Sequence, residues 1–180
     1  MRTFSKSAAV LLLALLLGIA TAADEATAAL QAKFDAEKDA GRKAKLFRKL
    51  GDLQFESARQ AASRGDFSWV GFTMEKYRDN LRVTLDALKH QKPDADRHAN
   101  SYKDLEISVS KHVRAIGDQI LAAPEEFRPP LQIVQRDVAS MEDELLHIIF
   151  PLRPGEKPLP SQSQPQDKRP GSPQPPGGPQ

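Results

Sequence analysis

The sequence has no cysteine, a single tryptophan and only two tyrosines in 180 residues. Without cysteine no disulfide can brace the fold and no thiolate can serve as nucleophile or metal ligand. Packing has to supply the stability. Several catalytic patterns are missing as well: there is no Gly-rich phosphate loop, no H-E-x-x-H and no G-x-S-x-G elbow. Scattered Ser, His and Asp remain, but helices with continuous aliphatic stripes leave them little room to form a polar cleft. No catalytic residue, cofactor-binding residue or metal ligand is therefore assigned.

Charge of one sign is also lacking. The chain carries 26 basic and 24 acidic residues, and two of the basic ones, Arg2 and Lys6, lie in its first 23 positions. Without that segment the count is even, and residues 24–150 hold 20 basic against 22 acidic side chains. No basic face able to condense on phosphates is indicated, which argues against a nucleic-acid partner.

What the sequence does have is clear organisation. Residues 1–23 run from a short basic start through an apolar stretch, Ala8 to Ala20, to small residues ending at Ala23. That is the three-part layout of a secretory signal peptide, with cleavage expected after Ala22 or Ala23. The apolar stretch is shorter than the roughly 20 residues a spanning helix needs. An uncleaved N-terminal anchor is the alternative; otherwise no membrane span remains after signal cleavage. The expected location is the periplasm or the extracellular space. Residues 151–180, PLRPGEKPLPSQSQPQDKRPGSPQPPGGPQ, offer almost nothing to bury except Leu152 and Leu159. Such a composition predicts a disordered tail with polyproline II character, serving as a solubilising segment, a spacer or a docking strand.

Residues 24–150 form the expected domain. Three stretches carry apolar side chains three and four apart: Phe67, Val70, Met74, Tyr77, Leu81, Leu85 and Leu88; Tyr102, Leu105, Val109, Val113, Ile116 and Ile120; Leu131, Val134, Val138, Met141, Leu145 and Ile148. This period puts one apolar stripe on each helix, and none of the stretches alternates as a strand would. The fold class is all-α, an antiparallel bundle of about four helices. Upstream, Asp24 to Arg64 reads as helix-rich, with Leu30, Phe34, Phe47, Leu50 and Leu53 as core candidates and Gly41 and Gly51 as points of bending. Asp66 and Asp94 are expected to cap the helices that follow them, and Pro124 and Pro151 to end helices; Pro129-Pro130 suits a first helical turn.

Short connections predict antiparallel neighbours. Reflection across Gln91–Lys92 sets Leu81 level with Leu105, Tyr77 with Val109 and Val70 with Ile116. Reflection across Glu125–Glu126 sets Leu105 near Ile148, Val109 near Met141 and Leu145, and Ile116 near Val134 and Val138. Trp69 is expected beside Gly117, where an absent side chain leaves room for the indole.

Arg64-Gly65-Asp66 spells an adhesion tripeptide, yet each residue suits a corner: a helix end, a flexible bend, a cap. Glu144-Leu145-Leu146-His147 has the E-x-x-H spacing of di-iron bundles. None of His90, His98 and His112 has a Glu three residues earlier, so a solvated pair is the favoured reading. The segment LGDLQFESARQAASRGDFSWVGFTMEKYRDNL, Leu50 to Leu81, resembles a tetratricopeptide hairpin in its LG start, GDF turn and later Tyr. The LG pair lies about seven residues too far upstream, Val70 replaces the usual small residue, and no second copy follows. The resemblance implies a helical surface used for protein contacts. The chain as a whole is similar to exported bacterial helical proteins, a likeness that carries no mechanism.

Trp69, Phe72 and Tyr102 are the candidate partner patch, because Trp69 and Phe72 flank the stripe of their helix. The function expected is non-enzymatic: protein contact or envelope scaffolding, with another envelope protein or a second copy of the chain as partner. The alternative is a metal-binding bundle or a small hydrolytic enzyme centred near His147 or His112.

Overall fold

The computed structural model describes residues 25–95 and 97–151; the expected signal segment and the Pro-rich tail beyond Pro151 lie outside the described residues. The described chain is all-α, without a strand. It forms five helices: α1 over residues 25–36, α2 (Ala40–Ser63), α3 (Phe67–Gln91), α4 (Ala99–Ala122) and α5 (Arg128–Ile149), the last preceded by a 3-10 turn at Glu125–Phe127.

The fifth helix arises because the upstream segment breaks at residues 37–39, before either glycine. Neither Gly nor Pro makes this break. Side chains do: Glu37 Oε1 accepts from the Asp39 N–H at 2.8 Å, and Asp39 caps α2 by accepting from the Arg42 N–H at 2.8 Å. The Arg42 guanidinium, bonded to Glu37, holds that carboxyl down to about 2. Gln91 then closes this end, accepting from the Ala40 N–H and donating to the Lys38 carbonyl.

The corner at residues 64–66 is built as expected. Gly65 adopts φ +77°, the left-handed conformation glycine reaches without strain. The Asp66 and Gly65 N–H groups donate to the Ala61 and Ala62 carbonyls, the paired bonds of a Schellman end. Asp66 also caps α3, its carboxylate accepting from the Trp69 N–H at 3.1 Å. Asp94 does not cap α4. It accepts from the Arg97 N–H within a preceding turn, and α4 begins at Ala99 without a side-chain cap.

The topology corrects the expected order of neighbours. α2 and α3 form one antiparallel hairpin and α4 and α5 another; the hairpins then pack with α2 beside α4 and α3 beside α5. Like helices run parallel. Lys111 pairs with Asp52 across α4 and α2 at 3.0 Å, and Arg78 and Lys89 of α3 pair with Asp137 and Glu144 of α5 at 3.5 and 2.8 Å. α3 and α4, consecutive in sequence, therefore lie on a diagonal, because residues 92–98 are long enough to cross the end of the bundle. Tyr77 accordingly meets His112 across the core, not Val109 at a flank. Within the second hairpin the reflected register nearly holds: Gly117 faces Gln135.

The stripes of α3 and α5 are buried as read, with Phe67 and Ile148 at their partly buried ends. That of α4 is rotated. Tyr102, Leu105, Val109, His112, Ile116 and Gln119 are buried, so polar residues take positions expected for Val113 and Ile120, which are only partly buried. In α2, Leu53 points outward at 37% exposure while Phe55 is in the core beside Ala44, Ala58 and Ala61. α1 lies along the first hairpin. Gln31 and Asn80 exchange two amide hydrogen bonds at 3.0 and 3.2 Å, and Lys43 donates to the Phe34 carbonyl while lying over the Phe34 ring.

Gly51 does not bend α2; it admits the core rings. A β-carbon there would stand 3.0 Å from His112 Cε1 and 3.1 Å from Tyr77 Cε2. Both rings are buried and cannot retreat. Gly71, in α3, has open space around the same position. Gly51→Val should therefore lower unfolding free energy by about 2 kcal/mol or more through overpacking. Gly71→Ala should raise it by roughly 0.5–1 kcal/mol through helix propensity alone. Urea denaturation of the two variants measures both; a neutral Gly51→Val would contradict the close approach.

Candidate functional site

Two groups of side chains stand out, one hidden and one open. The hidden group lies where α2, α3 and α4 converge. His112, 1% exposed, stacks on Phe55 with ring centroids 4.3 Å apart, and its Nδ1 is 3.0 Å from the Tyr77 hydroxyl. Its Nε2 is buried without a hydrogen-bond partner; the Asp52 carboxylate stands 3.5 Å away, too far for a good bond but near enough to act by charge. Asp52 itself also receives Lys111 from the solvent side.

Burial sets the electrostatics of this group. Desolvation pushes the His112 pKa down to about 4, against an upward pull from Asp52 and with a smaller downward push from Lys111. Desolvation likewise raises the Tyr77 phenol well above its ordinary value, helped by the charges of Glu142 and Asp52. For Asp52, burial acts upward, yet the Lys111 bond and charge together with His112 leave its carboxyl below the usual value. Both rings are thus neutral near pH 7. Nε2–H then faces the carboxylate, and Nδ1 accepts from the Tyr77 hydroxyl, the tautomer that leaves no phenol proton stranded. This arrangement joins three helices. It offers no open position to a reactant.

His147 lies elsewhere, exposed, its Nδ1 bonded to the Asp143 carbonyl at 2.7 Å, while Glu144 is held by Lys89. The E-x-x-H pair does not converge on a common point. Among the described residues no three His, Asp or Glu side chains gather as a metal site would require.

The open group is a groove of about 450 Å³ between α1, α2 and α3. Its walls are mainly carbon. Ala28 and Gln31 come from α1, Gln54 and Ser57 from α2, and Trp69 and Phe72 from α3, with Lys76 at one edge. Trp69 is 42% and Phe72 59% exposed, and their rings lie 5.4 Å apart. The indole is held in place by its Nε1–H, which donates to Ser57 Oγ at 3.1 Å. It does not reach Gly117, because its side of α3 is turned toward α1 and α2, away from the second hairpin. Gln54 forms part of the floor, and its Oε1 is buried without a donor.

Of the three residues named as a patch, the structure brings Trp69 and Phe72 together. Tyr102 is separate: it is 1% exposed and its hydroxyl donates to the Lys92 carbonyl at the opposite end of the bundle. Ser57 and Gln54 were missed by sequence reasoning. Their spacing from Phe47 and Leu50 on α2 was the available signal, but they join the groove only once α1 has docked. No protein-family model matches the chain, and it matches neither a curated protein nor a solved structure.

The buried histidine gives a signed pH dependence. The unfolded imidazole has a pKa near 6.5, so between pH 6.5 and about 4 the unfolded chain binds the extra proton. Stability should be level above pH 6.5 and fall as the pH drops toward 4, by up to roughly 3 kcal/mol from this group. Urea unfolding from pH 7.5 to 4.5 should show that slope in the native chain and a much shallower one in His112→Leu; equal slopes would refute the assignment.

Proposed function

We propose that the protein is a non-enzymatic, exported helical module that holds a protein partner in the groove bordered by Trp69 and Phe72. The observation that carries this reading is the pairing of two exposed aromatic rings with an adjoining apolar groove. Fully burying a side chain of this size is worth about 1.5–3 kcal/mol, and surface aromatics with a fixed geometry are favoured anchors at protein interfaces. Trp69 is fixed by Ser57, so little ordering is lost when it is covered. The tetratricopeptide-like hairpin, Leu50 to Leu81, belongs to the same reading, since it supplies both rings from one helical surface.

Supporting features are of the same kind. Among the described residues no helix is long and apolar enough to cross a membrane. Export to the periplasm or the extracellular space rests on the signal-like residues 1–23. The partner is another envelope protein or a second copy of the chain. The metal-binding and hydrolytic alternative draws no support from His112, which is enclosed by Phe55, Tyr77 and Gly51.

Site-specific photocrosslinking in the exporting cell tests the proposal. A photoreactive phenylalanine at position 72 should give a discrete adduct, and the same residue at exposed Val83 should not. Trp69→Ala should reduce the adduct at position 72 severalfold while leaving helicity unchanged. Equal labelling from both positions would contradict the reading.

A further inference from the structure

The groove is apolar but not featureless, and its features match one part of this chain. Gln54, 3% exposed, closes its floor. Beside it stand Trp69 and Phe72, tilted 34° to one another. Aromatic rings flanking a groove are the general means of holding an extended Pro-rich strand, whose rings pack on the aromatic faces and whose backbone N–H groups have no internal partners. Ten of the fourteen prolines of the chain fall in residues 151–180.

Reach decides which of them can arrive. α5 runs parallel to α3, and Glu144 lies level with Lys89. Phe150 is therefore roughly 40 Å along the bundle from Trp69, at 1.5 Å of rise per helical residue. Passing round α3 adds about 10 Å, a helix diameter. At about 3.1 Å per residue in polyproline II form, Leu159 and its neighbours span only ~28 Å and fall short. Arg169 spans roughly 59 Å and reaches. The stretch from Arg169 to Pro176, RPGSPQPP, also has the densest prolines, with Gly171, Ser172 and Gln174 between them.

We propose that the segment Arg169–Pro176 of the same chain docks in the Trp69–Phe72 groove, its prolines on the two rings. This rests on the reading of the groove as a peptide-docking site and adds its regulation. A tethered segment acts at an effective concentration in the millimolar range, so even a weak strand keeps the groove covered until a partner displaces it. The tail is thus a built-in competitor.

Trp69 is the only tryptophan, so its fluorescence reports this groove alone. The full chain should be compared with a variant of equal length in which Pro170, Pro173, Pro175 and Pro176 are replaced by Ser. The substitutions lie outside the helical bundle, and circular dichroism checks that helicity is equal. The acrylamide quenching constant of Trp69 should rise about twofold in the variant, with a red-shifted emission, and adding the peptide RPGSPQPP should reverse both. The native chain should show the same shielding at any protein concentration. Identical quenching in the two chains overturns the proposal, as does shielding that disappears on dilution, which would mean a second copy covers the groove. The crosslink at position 72 is read separately: if it forms while quenching is identical, the tail proposal falls and the partner reading stands.

Discussion

One neutral imidazole, set against a glycine, organises this bundle. His112 occupies the place where side chains of α2, α3 and α4 meet, and it fits because Gly51 presents no side chain there. Phe55 stacks on one face and the Tyr77 ring meets it edge-on at 5.1 Å. An aliphatic residue at this place would pack as well but would bond to nothing. The imidazole instead bonds a phenol on the diagonal helix and sets its other nitrogen 3.5 Å from a carboxylate on the adjacent one. Buried polar groups cost stability when unsatisfied, and they disfavour alternative registers in which their partners are lost. In a chain without disulfides, this cluster and the Gln31–Asn80 amide pair are among the interactions that distinguish one arrangement of apolar stripes from another.

Much of the fold was legible because the apolar stripes of α3 and α5 keep the helical period. The members of their stripes recur at three and four, and each is buried or partly buried where the pattern put it, while Val83 and Ile133, off the stripes, are exposed. α4 was read with its stripe turned, since a search for apolar residues selects Val113 and Ile120 and passes over His112 and Gln119. The observed positions 102, 105, 109, 112, 116 and 119 keep a stricter alternation, which would have been visible had polar residues been admitted. α2 was harder. Seven of its eleven buried residues are Gly, Ala and Gln, whose hydropathy does not announce burial. The break at residues 37–39 left no mark in Gly or Pro, because side-chain bonds from Glu37 and Asp39 make it. Nor could a local pattern show that residues 92–98 cross the bundle end, since that choice is settled by the long-range contact of Tyr77 with His112.

The groove was half legible for a related reason. Trp69 and Phe72 flank their stripe, and flanking aromatics are the natural candidates for a wider core or an open patch. Tyr102 satisfied the apolar period and proved to be core, its hydroxyl answered by the Lys92 carbonyl. The depth of the groove depends on α1, a short helix docked by the buried Phe34 ring together with the Gln31–Asn80 amide pair. Corner chemistry, by contrast, read correctly from three residues: Arg64, Gly65 and Asp66 end one helix, turn the chain and begin the next.

The protonation state of His112 is the most direct test of this account. Nitrogen-15 chemical shifts of the ring at neutral pH report charge and tautomer together. A pyridine-like Nδ1 and a pyrrole-like Nε2 are predicted, as for a neutral ring that accepts from Tyr77 and turns its proton toward Asp52. An imidazolium, or a ring exchanging freely between tautomers as it would in water, would contradict the enclosed cluster on which the packing of the two hairpins depends.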